Sequence, residues 1–258
     1  MSRLLVIPAA GFGSRLGAQV PKVLVHVAGA TMLDRLLDLY DEAVDRFVIA
    51  VNPAFAEDVR RHVASHVDAA RIECVEQPAP TGMLDAILLG LTAAQRCQAS
   101  SVWVTWCDQV AVHPKTIERL VQRTPLEGID GPGSAALVMP TVIRDHPYIH
   151  LERDASGRIT RVLHQREGDV MPETGESDMG LFAMSSRAYG EFLPKYAREV
   201  EVGLATGERN FLPFIPWLAR MDTVVTFPCE NPMEAVGINT PEELGMVERY
   251  LLSLSPES

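Results

Sequence analysis

Long hydrophobic runs, basic clusters and paired cysteines are all missing from this 258-residue chain. No apolar stretch approaches the ~18–20 residues needed to cross a bilayer, so no membrane role is expected. Lys and Arg number 23 against 34 Asp and Glu, and no basic block exceeds two residues. Sequence-independent duplex binding needs clustered cations, so nucleic acid is not an expected partner. Cys74, Cys97, Cys107 and Cys229 fall at irregular spacings without a CxxC pair. That argues against zinc and against a disulfide framework, and for buried thiols in a reducing, cytoplasmic setting. Eighteen glycines and eighteen prolines are too few for a low-complexity chain. The opening Met1-Ser2-Arg3 and the run Leu4 to Ala10 mimic a short signal peptide. The run ends in a glycine turn with Arg15 behind it and no cleavage-like segment, so it reads as a buried first strand.

Hydrophobic residues at 47% and charged residues at 22% are those of a globular chain. The first half alternates strand and helix. Leu4–Pro8 is a continuous apolar run, as in a parallel strand covered on both faces. Met32–Glu42 carries Met32, Leu33, Leu36, Leu37 and Tyr40 at helical spacing. Strand Phe47–Val51, a helix over 54–66, strand Ile72–Val75, helix Met83–Ala94 and strand Val102–Trp106 repeat the unit. His113-Pro114 opens a further helix with proline at its first position. Such alternation implies right-handed crossovers and a mostly parallel sheet. The second half predicts strands at Ala135–Met139, Met179–Met184, Val224–Phe227 and Ala235–Ile238. It also predicts a hairpin of Ile149–Glu152 with Arg158–His164 and a helix over Arg209–Arg220. Thr240-Pro241-Glu242-Glu243 reads as a capped helix start. With no linker and no repeat, residues 1–258 form one expected α/β domain with a lid-like insertion near 140–178.

Chemistry concentrates first at Ala9-Ala10-Gly11-Phe12-Gly13-Ser14-Arg15-Leu16, directly after the first strand. Position 16 is not the glycine of a dinucleotide fingerprint, and the Gly-Lys-Ser/Thr of a P-loop is absent. Closely spaced glycines still let backbone N–H groups approach an anion. Arg15 adds a fork of donors suited to phosphate, and Pro21-Lys22 a second cation. A tight strand–helix corner with a surface arginine is the plainer reading of the turn alone.

The turn followed by Pro21-Lys22 resembles the signature of the sugar-nucleotide pyrophosphorylases, the nucleotidyltransferases of the sugar-phosphate class. That resemblance implies a Rossmann-like three-layer α/β fold with a mostly parallel mixed sheet and a small antiparallel lid. It implies transfer of a nucleoside monophosphate from a triphosphate to a sugar 1-phosphate, with pyrophosphate released and Mg²⁺ as cofactor. Arg15, Lys22 and Asp108 would be catalytic, and Ala9, Ala10, Gly11, Gly13 and Ser14 would hold the nucleotide. Gln77-Pro78-Ala79-Pro80-Thr81-Gly82 is similar to the base-reading segment, in which Gln77 and Gly82 would meet the nucleobase edge. A Pro-rich loop before a helix is the alternative there. The apolar strand Trp103–Trp106 leads to Asp108, which matches the metal-binding aspartate, and Val236-Gly237-Ile238-Asn239 resembles the second metal position. A turn former at 108 and a turn asparagine at 239 are the bland readings.

The sugar side departs from the family pattern. His164 stands where a sugar-binding glutamate is usual, Arg166 where a lysine is usual, and Asp178-Met179-Gly180 where many relatives have Asn-Thr-Gly. His164, Arg166, Asp178 and Gly180 are therefore the candidate acceptor contacts, and they leave open a non-sugar acceptor such as a polyol phosphate, choline phosphate or a molybdopterin. A non-catalytic nucleotide-binding regulator competes with the enzyme, but Lys22 and Asp108 are both retained. The expected partners are a nucleoside triphosphate and a phosphorylated small molecule, and a homo-oligomer stays open. No acyltransferase-like repeat follows, so a two-activity enzyme of that kind is not expected.

Overall fold

The computed structural model describes residues 2–11, 13, 16–17, 20–124 and 134–254. In chain order the elements are β1 (Ser2–Ala9), β2 (His26–Val27), β3 (Ala30–Thr31), α1 (Met32–Tyr40), β4 (Arg46–Val51), α2 (Ala56–Ala64) and β5 (Ile72–Glu76). Next come α3 (Met83–Leu88), α4 (Leu91–Arg96), β6 (Ala99–Thr105), α5 (Pro114–Arg123), β7 (Leu137–Asp145), β8 (Ile149–Arg153) and β9 (Ile159–His164). The chain continues through β10 (Thr174–Asp178), β11 (Leu181–Ser185), α6 (Leu193–Glu199), α7 (Phe214–Leu218), β12 (Val224–Pro228) and α8 (Pro241–Leu254).

Eight of the strands form one mixed sheet in the order β10-β7-β11-β6-β1-β4-β5, with β12 also on β7. β6, β1, β4 and β5 are mutually parallel, whereas β11 runs antiparallel to both β6 and β7. Strand alternation sends Leu4 and Val6 to one face and Leu5 and Ile7 to the other, where each joins a separate core. On one side Leu33, Leu36, Val59, Ile117 and Val247 of α1, α2, α5 and α8 cover the sheet. On the other it is Leu84, Ile87, Leu193, Tyr196, Phe214 and Ile215 of α3, α6 and α7. The result is the expected three-layer α/β fold, with antiparallel β2-β3 and β8-β9 as small separate sheets. The stretch 140–178 contains most of β7 and all of β10, which belong to the main sheet, so the detached piece is the β8-β9 hairpin. Among the described residues no helix is long and apolar enough to cross a membrane.

Four sequence-based boundaries change for physical reasons. The helix expected over Met83–Ala94 breaks at Leu89-Gly90, where a Cβ on Gly90 would press into Val6 and the Tyr189 hydroxyl. The strand expected from Met179 starts at Leu181, because Gly180 turns to give its carbonyl to the Trp106 amide at 2.9 Å. The helix expected from Arg209 starts at Phe214, since the Arg209 backbone is engaged with Thr81 and Leu84. Ala235–Ile238 is not a strand: Asn231 caps a single 3₁₀ turn over Pro232–Ala235, and the following residues cross over β6. There Ile238 N donates to Asp108 O at 3.3 Å.

Candidate active site

Parallel strands present their C-terminal ends together, and this is where open α/β sheets gather ligands. Ala10 follows β1, Asn52 follows β4, Gln77 follows β5, and Asp108 lies just past β6. The Asn52 amide donates to Ala10 O at 3.1 Å, tying the first two ends together. Within the glycine turn, Gly13 has φ +62, and a Cβ there would stand 2.8 Å from Lys22 Cβ. The bare backbone at Gly13 thus lets the lysine stem lie flat against the turn. Ser14 and Arg15 lie outside the described residues.

Lys22 sits in a short 3₁₀ turn that begins after Pro21. Its ammonium donates to Asp108 Oδ2 at 2.5 Å and to Asn239 Oδ1 at 2.9 Å. Both ion-pair side chains are largely covered, Lys22 at 11% and Asp108 at 13% exposure. Asn239 is held in turn by α8, whose Glu243 carboxylate accepts from the Asn239 and Thr240 amides while Thr240 Oγ1 caps the Glu243 amide. That is the expected capping box, and it sets the asparagine facing β6.

Two oxygens from distant parts of the chain therefore converge on one cation. A carboxylate and an amide carbonyl are the hard oxygen donors that a magnesium ion takes, and it usually keeps several waters besides. The ammonium of Lys22 standing between them shows that the place accepts positive charge. Among the described residues there is no cluster of three or more His, Cys, Asp or Glu that would hold a metal by itself.

A cavity of about 470 Å³ opens beside this group. Asp108, Asn239, His164, Arg166, Asp178 and Gly180 all line it. The Asp178 carboxyl is buried and accepts from the Gly180 amide at 2.9 Å. Burial pushes its pKa up to about 6, against the opposing pull of that amide and of Arg144. His164 is half-buried at the end of β9 and contacts Asn210 through Nδ1 at 3.0 Å. Burial moves its imidazole below the usual value, disfavouring the charged ring. Arg166 is exposed on the turn after β9. Beside it Glu167 accepts from Thr206 Oγ1 at 2.6 Å and from the Ala205 amide at 3.2 Å, pinning the 203–208 loop to the hairpin as a rim.

Gln77 and Gly82 are not on this wall. The Gln77 amide is buried and donates to Gly82 O at 3.1 Å. Gly82 has φ +118 and lies against the Arg209 backbone, with no room for a Cβ. Leu84 N and Arg209 N extend the clamp by donating to Arg209 O and Thr81 O. The Arg209 side chain then pairs with Asp85, Nη2 to Oδ1 at 2.5 Å. Sequence reasoning did not find Arg144, Gln109, Glu208, Arg209 or Asn210 on the cavity. No motif marks them.

The fold is that of a nucleotidyltransferase. The chain belongs to the family of MobA-like NTP transferase domains, whose profile matches residues 5–176. It is similar to the bifunctional protein GlmU of Solibacter usitatus, 27% identical over 251 residues, covering 95% of this chain and 50% of that protein. GlmU of Pseudomonas entomophila is 27% identical over 253 residues, covering 97% of this chain and 52% of its own. The chain thus spans about half the length of these curated relatives. In fold it is similar to HddC from Yersinia pseudotuberculosis, solved in complex with GMP-PN, with a TM-score of 0.65. That likeness covers 97% of this chain and 100% of the other at 18% identity.

Proposed function

We propose that the protein transfers a nucleoside monophosphate from a triphosphate to a sugar 1-phosphate, releasing pyrophosphate, with Mg²⁺ as cofactor. One observation carries the reading: Lys22 bonds both Asp108 and Asn239, and these two line one cavity with His164, Arg166 and Asp178. Magnesium held by Asp108 and Asn239 would neutralise charge on the phosphates. The glycine turn at Ala9, Ala10, Gly11, Gly13 and Ser14 holds the triphosphate through backbone N–H groups, with Arg15 as a further cation. Lys22 draws the α-phosphate toward Asp108. Arg166, on the facing rim, receives the acceptor phosphate, and Asp178 accepts from an acceptor hydroxyl. An acceptor phosphate oxygen attacks the α-phosphorus in line, and the bond to the pyrophosphate oxygen breaks. No side chain forms a covalent intermediate, so the protein's work is positioning and charge neutralisation. In a chain of net charge −11 those few cations oppose the repulsion of two anionic substrates. Four unpaired cysteines agree with work in a reducing cytoplasm.

The test is pyrophosphate release from each common triphosphate against a panel of sugar 1-phosphates, polyol phosphates and choline phosphate. We expect release with at least one sugar 1-phosphate, loss of it with EDTA and recovery with Mg²⁺. Release only with a non-sugar phosphate would replace the acceptor, and no release with any sugar 1-phosphate would remove the sugar-phosphate reading.

A further inference from the structure

The two oxygens that suit a magnesium ion are the two that Lys22 bonds. Its ammonium donates to Asp108 Oδ2 at 2.5 Å and to Asn239 Oδ1 at 2.9 Å. Lys22 is 11% and Asp108 13% exposed, so solvent ions screen the pair poorly. Both acceptors are also held in place. A Cβ on Gly237 would stand only 3.2–3.3 Å from the atoms of the Asp108 carboxyl group. The Ile238 amide donates to Asp108 O, and the Asn239 side-chain amide donates to Gly237 O, each at 3.3 Å. Glu243 takes the Asn239 backbone amide at 2.7 Å. The carboxylate and the amide oxygen thus form a fixed pair, for which two kinds of cation compete.

Hydrogen bonds from an ammonium to a carboxylate are short and strong. A divalent ion arriving alone must either displace the ammonium or share the carboxylate with it. Displacement strips a largely covered ammonium of these two acceptors, and sharing sets like charges side by side. The lysine stem offers a third course, because it lies against the glycine turn, where a Cβ on Gly13 would stand 2.8 Å from Lys22 Cβ. A polyanion seated on that turn brings acceptor oxygens to the same side chain. The ammonium can then change partners without being left unpaired. A ligand shifts an equilibrium only through its differential affinity for the two states. A triphosphate has that preference for the released lysine, and a bare metal ion does not.

We propose that Lys22 is a lock on the metal-binding oxygens: it keeps a divalent cation out until a triphosphate on the glycine turn draws its ammonium away. Metal then enters with the triphosphate or after it, and not before. The inference rests on the reading above, in which Asp108 and Asn239 hold the metal and the glycine turn holds the triphosphate. It adds the residue that couples the two.

The experiment titrates the full chain with Mn²⁺ alone and with preformed manganese tripolyphosphate, following bound metal by electron paramagnetic resonance. Wild type is compared with Lys22→Met and with Lys22→Met/Asp108→Asn. Lys22→Met is expected to bind Mn²⁺ alone more tightly than wild type by about tenfold or more, a usual size for coupling between two ligands. The same variant should bind manganese tripolyphosphate more weakly than wild type, so the two affinities move in opposite directions. Adding Asp108→Asn should abolish the gain toward Mn²⁺. Should Lys22→Met be poorly folded, melting curves make the same comparison, since Mn²⁺ should raise its melting temperature more than that of wild type. A lysine that merely supports the fold would weaken both ligands together, and that result would overturn the proposal. Equal Mn²⁺ affinity in wild type and Lys22→Met, or a gain that survives Asp108→Asn, would overturn it as well. These failures leave the EDTA-sensitive pyrophosphate release of wild type standing and so spare the reading of the site. Release that EDTA does not affect would remove the metal and the lock together.

Discussion

The Lys22 ammonium stands 2.5 Å from the Asp108 carboxylate across 86 positions of sequence. It also bonds Asn239, so three segments with no local relationship are joined by one cation. Removing the lysine leaves the carboxylate without its partner, and removing the carboxylate leaves two cation-seeking oxygens reduced to one.

Lys22→Ala and Asp108→Ala are each expected to lower turnover by about 10²–10³, the usual loss when a preorganised charge at a reacting phosphate is deleted. Because the two side chains act as a unit, the double variant should be little worse than the poorer single one. Steady-state pyrophosphate release, with circular dichroism to show that the fold persists, measures this. Near-normal release by both single variants would end their assignment.

Gly13→Ala places a Cβ 2.8 Å from Lys22 Cβ at φ +62. The strained backbone and the displaced lysine stem should cost about 1–2 kcal/mol of stability and lower turnover about tenfold or more. Gly11→Ala meets open space, so its stability should stay within about 0.5 kcal/mol of wild type. Equal melting temperatures for the two variants would contradict the contact.

Gly82→Ala separates a packing role from a ligand role. A methyl group there would overlap the Arg209 backbone at φ +118, and the Thr81–Arg209–Leu84 clamp cannot yield without losing its hydrogen bonds. We expect about 3 kcal/mol or more of destabilisation in urea unfolding. A normally stable Gly82→Ala with only a raised triphosphate KM would instead make the glycine a place of approach for the nucleobase.

Asp178 makes stability fall as pH rises. Burial lifts its folded pKa to about 6, above the usual carboxyl value, so the unfolded chain ionises first. The folded protein then pays for holding a buried charge from about pH 4 upward, reaching ~3 kcal/mol above pH 6. Asp178→Asn keeps an acceptor for the Gly180 amide and removes that charge. It should therefore stabilise the protein at pH 7.5 and approach wild type near pH 4, as denaturant titrations at the two pH values would reveal. A stabilisation independent of pH would contradict the shift.

Local signals were readable where neighbours in sequence are neighbours in space. Thr240 and Glu243 cap each other within one turn, and Asp154 accepts from the Ser156 and Arg158 amides within one hairpin loop. Apolar spacing likewise marked α1 and the strands that are buried on both faces. The misread segments depend on partners far along the chain. Gly90 breaks a helix because Tyr189 and Val6 stand over it, and Arg209 stays extended because Thr81 and Leu84 claim its backbone. Ala235 to Ile238 reads as strand by apolarity, yet the Ile238 amide bonds to Asp108 O, just past β6.

Periodicity, caps and the glycine turn are properties of short stretches, and the linear chain determined them and with them a layered α/β architecture; Lys22, Asp108 and Asn239 were singled out through the family resemblance of the motifs around them. Only the folded sheet brought the Lys22 ammonium into hydrogen-bonding reach of both Asp108 and Asn239 and packed Gly82 against Arg209. Strand order and the burial of a polar atom arise from contacts between segments distant in sequence, and no local pattern of residues encodes them.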